Sequence, residues 1–295
     1  MASAVLERTA EIKDVASGDA NQLQGPLALG TLPTVGPYLL PQFIPLLQEM
    51  ASTMPLFVEE AAQQTLAAKL RNGDLDALLV VGPFNEPDIV AQPLFEEPLT
   101  LLVPARHRLA SKASIAVADL DPAEVLLLDE GNTFRDHVLS VFPQLRPREA
   151  AVDPRTSMRG STFETLRHMV ASGLGVTILP QAAAHTPLYS ADILVTRPFA
   201  EPVPKRTIVL AWRVSYPRHK AIDVLRRAIQ ASSAAYWNYN SAPHGKARAV
   251  VAVHTRDGAE SRLDVAHSVA TSDRSGLRIF ESFLQRLRSA LDAIA

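Results

Sequence analysis

Two periods of apolar spacing alternate along this chain. GPLALGTLP (25–33) reads as a strand, and Leu39, Leu40, Phe43, Ile44 and Leu47, set among prolines 37, 41 and 45, suit a buried helix face. PLFVEE (55–60) predicts a second strand. AAQQTLAAKLRN predicts a helix with Leu66 and Leu70 on one side and Gly73 as its C-terminal stop. DALLVVG (76–82) is a continuous apolar run, as in a strand covered on both faces. This strand-helix-strand-helix-strand order implies right-handed crossovers and parallel pairing.

A second cycle runs from Pro98 to about Pro198. LTLLVP (99–104) and VTILP (176–180) predict strands, and helices are expected from Phe134 and over STFETLRHMVASG (161–173). RTIVLAWRV (206–214) is a return strand. YPRHKAIDVLRRAIQ (216–230) is an amphipathic helix presenting Ile222, Leu225 and Ile229. Two α/β cycles with a return segment predict two lobes around a cleft, where ligands bind beyond the strand carboxyl ends and hinge closure follows. Two flanking segments stand apart. Val5, Leu6, Ile12 and Val15 predict a helix over 1–18, and 233–295 is polar and turn-rich at its start. There AVVAVHT suggests a strand. Leu277, Phe280, Leu284, Leu287, Leu291 and Ile294 form a heptad-like stripe that fits either a packed helix or an oligomerisation helix.

Composition narrows the function classes. Hydrophobic residues make up 47% of the 295 and charged residues 20%, a globular balance with ample core material. The net charge of -2 lacks the basic surplus by which nucleic-acid modules neutralise phosphates. With no cysteine, thiol redox chemistry, disulfides and thiolate metal sites are excluded. No apolar run reaches the roughly 18 residues of a membrane helix, and the N-terminus carries no apolar signal core, so a cytoplasmic location is expected. The eight histidines show no metal spacing, and no catalytic motif appears, so no cofactor, no metal and no enzymatic activity are expected. The adjacent pairs Glu59–Glu60 and Glu96–Glu97 fall on opposite strand faces and form no acid/base couple.

Three loops offer ligand contacts. In PTVGPYLL (33–40), Thr34 supplies a hydroxyl, and Val35 and Gly36 let backbone approach a ligand; a plain strand-to-helix turn is the alternative. In GNTFRD (131–136), Thr133 and Asp136 have capping-box spacing. The same hydroxyl, with Arg135, could instead hold a polar or anionic ligand at a helix start. In GSTFETLR (160–167), Ser161 and Glu164 repeat that spacing, with Thr162 beside them.

The same stretches carry a resemblance. GPLALGTLPTVGPYLLPQFIPLL, KLRNGDLDALLV, PLFEEPLTLLVPARHRLA, STFETLRHMVASGLGVTILP and KRTIVLAWR are similar, in order, to the regulatory domain of LysR-type transcriptional regulators, closest to the OxyR branch of peroxide sensors. The resemblance implies a two-lobed, periplasmic-binding-protein-like α/β fold (type 2) with parallel-type sheets and a hinge. Lobe I would be 24–95 with 199–232, lobe II 96–198, residues 1–23 the remnant of a linker helix, and 233–295 an extension of unknown structure. It implies a small polar effector contacting Thr34, Val35, Gly36, Gly82, Thr133, Arg135, Ser161 and Thr162. It also implies a homodimer or tetramer, pairing a helix near 38–50 with a neighbour's strand near 76–82, and DNA contact only through an N-terminal helix-turn-helix domain that these residues lack. Phe43 and Leu47 fit either that interface or the core. The sequence departs from the OxyR pattern at two redox positions: Thr133 stands where the peroxide-reactive cysteine is expected and Phe142 where the resolving one is. Threonine forms neither a sulfenate nor a disulfide. A stand-alone solute-binding protein of the same fold is the alternative reading.

Overall fold

The computed structural model describes residues 22–146, 160–184, 189–240, 247–254 and 260–267. The helix expected over 1–18 and the apolar stripe from Leu277 to Ile294 lie outside the described residues. In chain order the elements are β1 (Leu27–Thr31), α1 (Gly36–Met50), β2 (Leu56–Glu60), α2 (Gln63–Asn72), β3 (Ala77–Val81), β4 (Ile89–Pro104), β5 (Val125–Leu126), α3 (Thr133–Val141), α4 (Phe163–Ala171), β6 (Val176–Pro180), α5 (Gln181–Ala184), β7 (Leu194–Pro198), β8 (Lys205–Arg213), α6 (His219–Asn240), β9 (Ala247–His254) and β10 (Glu260–His267). Chain contacts group Met1–Gln230 and Ala231–Ala295 as separate units. The second contains the antiparallel hairpin of β9 and β10, with β9 overlapping the strand expected at AVVAVHT.

In the first unit the strand order is β2-β1-β3-β8-β4-β6-β5, with β7 also on β4. The expected parallel pairing holds where crossover helices join strands, in β2-β1-β3. Beyond them the sheet is mixed, because β8 enters antiparallel between β3 and β4. The 16-residue β4 organises both halves. Its first part pairs β8 from Ile89 to Pro98, and Leu99–Pro104 pairs β6 on one side and β7 on the other. A register shift between Pro93 and Phe95 marks a bulge in this strand, as strands that turn between packed layers commonly carry. The chain thus passes between the sheet halves along β4 and returns between β7 and β8.

The burial patterns follow the predicted periods. Ala77–Val80 are closed on both faces, as a strand with neighbours on either edge requires. Phe43 and Leu47, left open between interface and core, are core residues at 0% and 2% exposure. Among the described residues β2 is one end of the strand order, and its Phe57 and Val58 are exposed. Gly73 ends α2 in a left-handed conformation, φ 86°, as its position after Leu70 predicted.

The second sheet half has its own core, built on Leu101, Leu126, Phe134, Phe142, Phe163 and Ile178. Phe142, the C-cap of α3, is fully buried with its ring 5.1 Å from Phe199. It anchors the end of the segment that begins at Thr133. Phe142→Ala therefore leaves a cavity and should cost about 3–5 kcal/mol, read from urea unfolding; a loss near zero would show that the ring is not a packing anchor.

Candidate effector-binding site

The C-terminal ends of the parallel strands β1, β2 and β3 lead into the Thr34 loop, Ala61 and Gly82, where ligands bind in open α/β sheets. Thr34 is 6% exposed and Val35 fully buried. Gly36 opens α1, and a Cβ there would meet Thr31 Cγ2 at 2.5 Å and Glu60 Oε1 at 2.6 Å. Glycine is thus required for α1 to seat on β1 and β2. Gly82 donates its N–H to the Thr207 carbonyl at 2.9 Å and packs on Val209, which ties it to β8.

One residue that the motif reading missed joins these loops to the other sheet half. Arg206 of β8 is 2% exposed and lies directly opposite Glu97 of β4, itself 0% exposed. Its Nε donates to Glu97 Oε2 at 2.7 Å and its Nη2 to the Thr34 carbonyl at 2.8 Å. Glu97 Oε1 accepts the Ala182 N–H of α5 at 3.1 Å. The guanidinium lies 5.4 Å from the centre of the Phe134 ring, the second residue of α3, within cation–π range. Three segments, the Thr34 loop, α5 and the start of α3, therefore converge on an ion pair carried by β8 and β4. Two atoms here have no hydrogen-bond partner, Arg206 Nη1 and Thr34 Oγ1.

A second link runs beside it. The Tyr38 hydroxyl of α1 donates to Glu164 Oε1 of α4 at 3.1 Å, and its ring packs 5.8 Å from Phe163. Burial, then the negative charge of Glu164, push the phenol well above its ordinary range, so it remains a donor. Arg167 Nε donates back to Glu164 Oε2 at 3.2 Å, and its Nη2 reaches the Ala183 carbonyl at 2.5 Å. Phe163 meets Phe134 edge-to-face at 4.9 Å, so Tyr38, Phe163 and Phe134 form an aromatic string leading to Arg206.

The remaining expected positions divide. Thr133 is exposed at the start of α3, next to Phe134, which brings it to the Arg206 side of the cleft. It does not cap the helix. That role belongs to Asn132, whose side chain accepts the Phe134 N–H at 2.9 Å. The capping-box spacing at Ser161 misses by one residue in the other direction: Thr162 is the N-cap of α4 and accepts the Thr165 N–H at 3.1 Å. Both shifts have one cause, since two neighbouring polar residues can each cap and sequence spacing does not choose between them. Arg135 is 6% exposed and turned inward, donating to the Leu128 carbonyl at 3.0 Å. Ser161 is exposed. Arg206 thus links the loop of Thr34, Val35 and Gly36 to Phe134 in the first turn of α3. Arg135 serves the fold of its own sheet half.

With this geometry in place, comparison with known proteins decides the family. The LysR substrate binding domain model matches residues 20–234. The chain belongs to the LysR substrate-binding domain family. Among curated LysR-type relatives, the DNA-binding transcriptional dual regulator OxyR of Escherichia coli K12 is 35% identical over 230 residues, covering 78% of this chain and 73% of that protein. A probable hydrogen peroxide-inducible genes activator of Streptomyces viridosporus is 36% identical over 216 residues, 72% of this chain and 68% of that one. Among solved structures, a full-length OxyR variant from Pseudomonas aeruginosa matches with TM-score 0.68 at 44% identity, covering 77% of this chain and 72% of that one. The reduced OxyR regulatory domain from Pseudomonas aeruginosa matches with TM-score 0.65 at 44% identity, covering 71% and 99%. The chain is therefore an OxyR-like LysR effector-binding domain with the periplasmic-binding-protein-like fold, and it contains no cysteine.

His137 is a titratable neighbour of Arg206 whose shift has a defined sign. His137 on α3 contacts the Lys205 carbonyl through Nε2 at 3.2 Å. Burial, and to a lesser degree the charge of Arg206, hold it below the ordinary histidine range. A depressed value favours neutral imidazole in the folded state, so its contribution is fully present above about pH 6.5 and is lost as pH falls below that. The unfolding midpoint of the parent should drop more than that of His137→Gln between about pH 7.5 and about pH 5.5; equal drops would contradict the assignment.

Proposed function

We propose that this chain senses a small polar effector in the cleft between its sheet halves and acts on transcription through a DNA-binding domain, without a thiol switch. The observation that carries this is the absence of sulfur nucleophiles from an OxyR-like cleft that keeps a buried arginine, a buried threonine and a helix start in one place. Thr133 offers a hydroxyl in place of a thiolate, and Phe142 is a packed core residue. Effector contacts fall to Thr34, Val35, Gly36, Gly82, Thr133, Ser161 and Thr162, on a lobe I of 24–95 with 199–232 and a lobe II of 96–198. Family membership and the lack of a catalytic motif support a regulator and not an enzyme. Among the described residues no helix is long and apolar enough to cross a membrane, and the reading places the domain in the cytoplasm. Assembly as a homodimer or tetramer uses lobe I, where edge strand β2 exposes Phe57 and Val58.

The effector acts by population shift: it binds one arrangement of the lobes better than another and is released unchanged. Oxidation of a cysteine by peroxide, by contrast, is covalent and needs a reductant to reverse it. Hydrogen exchange across 125–145 should be the same with and without micromolar peroxide. A peroxide-specific change in protection there, reversed by a thiol reductant, would overturn the proposal.

A further inference from the structure

The cleft holds a specific chemical demand. Arg206 Nη1 and Thr34 Oγ1 are both closed to solvent and both lack a partner, although buried polar groups in native structures are nearly always hydrogen-bonded. The nearby carboxylate and carbonyl oxygens are already engaged with other donors. Glu97 spends Oε1 on the Ala182 N–H and Oε2 on Arg206 Nε, and the Thr34 carbonyl is taken by Arg206 Nη2. The positive end of α3 adjoins the guanidinium through Phe134. Two groups able to donate, both without partners, thus sit on residues joined by a hydrogen bond beside the first turn of α3, and an anion would accept from both.

We infer that the effector is a small monovalent oxyanion of the carboxylate or nitrate type, held by Arg206 Nη1 and the Thr34 hydroxyl. This rests on the effector-sensing reading and narrows it to one ligand class. The charge argues for an anion: a guanidinium donates to oxyanions in its own plane, and such bonds are about twice as strong as neutral ones. The small size follows from burial, since Thr34 and Arg206 are 6% and 2% exposed. Nη1 is closed to solvent, so occupancy requires a neighbouring segment to move, and the start of α3, whose Phe134 ring lies 5.4 Å from the guanidinium, adjoins it. Ligand binding is thereby coupled to the Thr133 helix start. The depressed His137 fits the same picture, since Arg206's positive charge reaches it.

Thermal unfolding and hydrogen exchange of the full chain, with sodium acetate, formate or nitrate against sodium chloride at equal ionic strength, test this. The oxyanions should raise the unfolding midpoint and change protection over 133–141. Thr34→Val, which replaces the unpartnered hydroxyl by a methyl of similar shape, should weaken acetate binding about tenfold or more. In chloride alone it should be at least as stable as the parent. Thr34→Ser should keep the response. Equal midpoint shifts in parent and Thr34→Val would mean a general salt effect and overturn the inference, as would neutral acetamide matching acetate. A Thr34→Val chain less stable than the parent in chloride, with no oxyanion response in either, would assign the hydroxyl to a bound water and overturn it too. If oxyanions fail while an uncharged small molecule changes protection over 133–141, the anion inference falls and the sensing proposal stands. If no small molecule does so, both fall.

Discussion

The Arg206–Glu97 ion pair is the constraint on which the rest of this domain turns. It joins adjacent strands, β8 and β4, at the point where β4 leaves one sheet half for the other. Burying two charges is expensive, and mutual attraction repays that cost only when the remaining donors and acceptors are also satisfied. Here Thr34 and Ala182 supply those partners from two different segments. The pair therefore fixes the β1–α1 loop, the α5 start and the α3 start relative to one another. Its one unsatisfied donor points to the chemistry that the cleft can recognise.

The absence of cysteine changes what this geometry can do, and leaves much of the geometry itself in place. In the proposed reading, a threonine at 133 keeps a polar group at the helix start where a thiolate would stand. A phenylalanine at 142 fills the core against Phe199, so the segment between them is pinned at its far end. A switch that depends on refolding this segment would have to extract a fully buried aromatic ring. A switch that moves only the start of α3 would not. Reversible ligand binding at that start is the kind of signal such a domain can still transmit.

Much of the fold was legible because period and punctuation carried it. Leu66 and Leu70 before Gly73, and the apolar run 76–82, placed a helix and a doubly covered strand correctly. The mixed sheet was not legible, since no local signal shows that a return strand enters antiparallel between two others. The caps were misplaced by one residue because Asn132 and Thr162 stand beside equally able neighbours. Glu97 was read only as half of an adjacent pair that forms no acid/base couple. Alternation was right to send Glu96 and Glu97 to opposite faces, and the core is where Glu97 went. A signal did exist: Arg206 shares the inward face of β8 with Ile208 and Leu210, and a charge at a core position demands a buried partner.

The claim that one buried pair couples the two sheet halves is tested most directly by a double-mutant cycle in urea unfolding, using Glu97→Met, Arg206→Met and both together. Each single substitution strands a buried charge and should cost about 3–5 kcal/mol. The double substitution strands none and should cost clearly less than the sum, with a coupling of about 1–3 kcal/mol or more. Additive losses would contradict the account, because the two residues would then be acting independently.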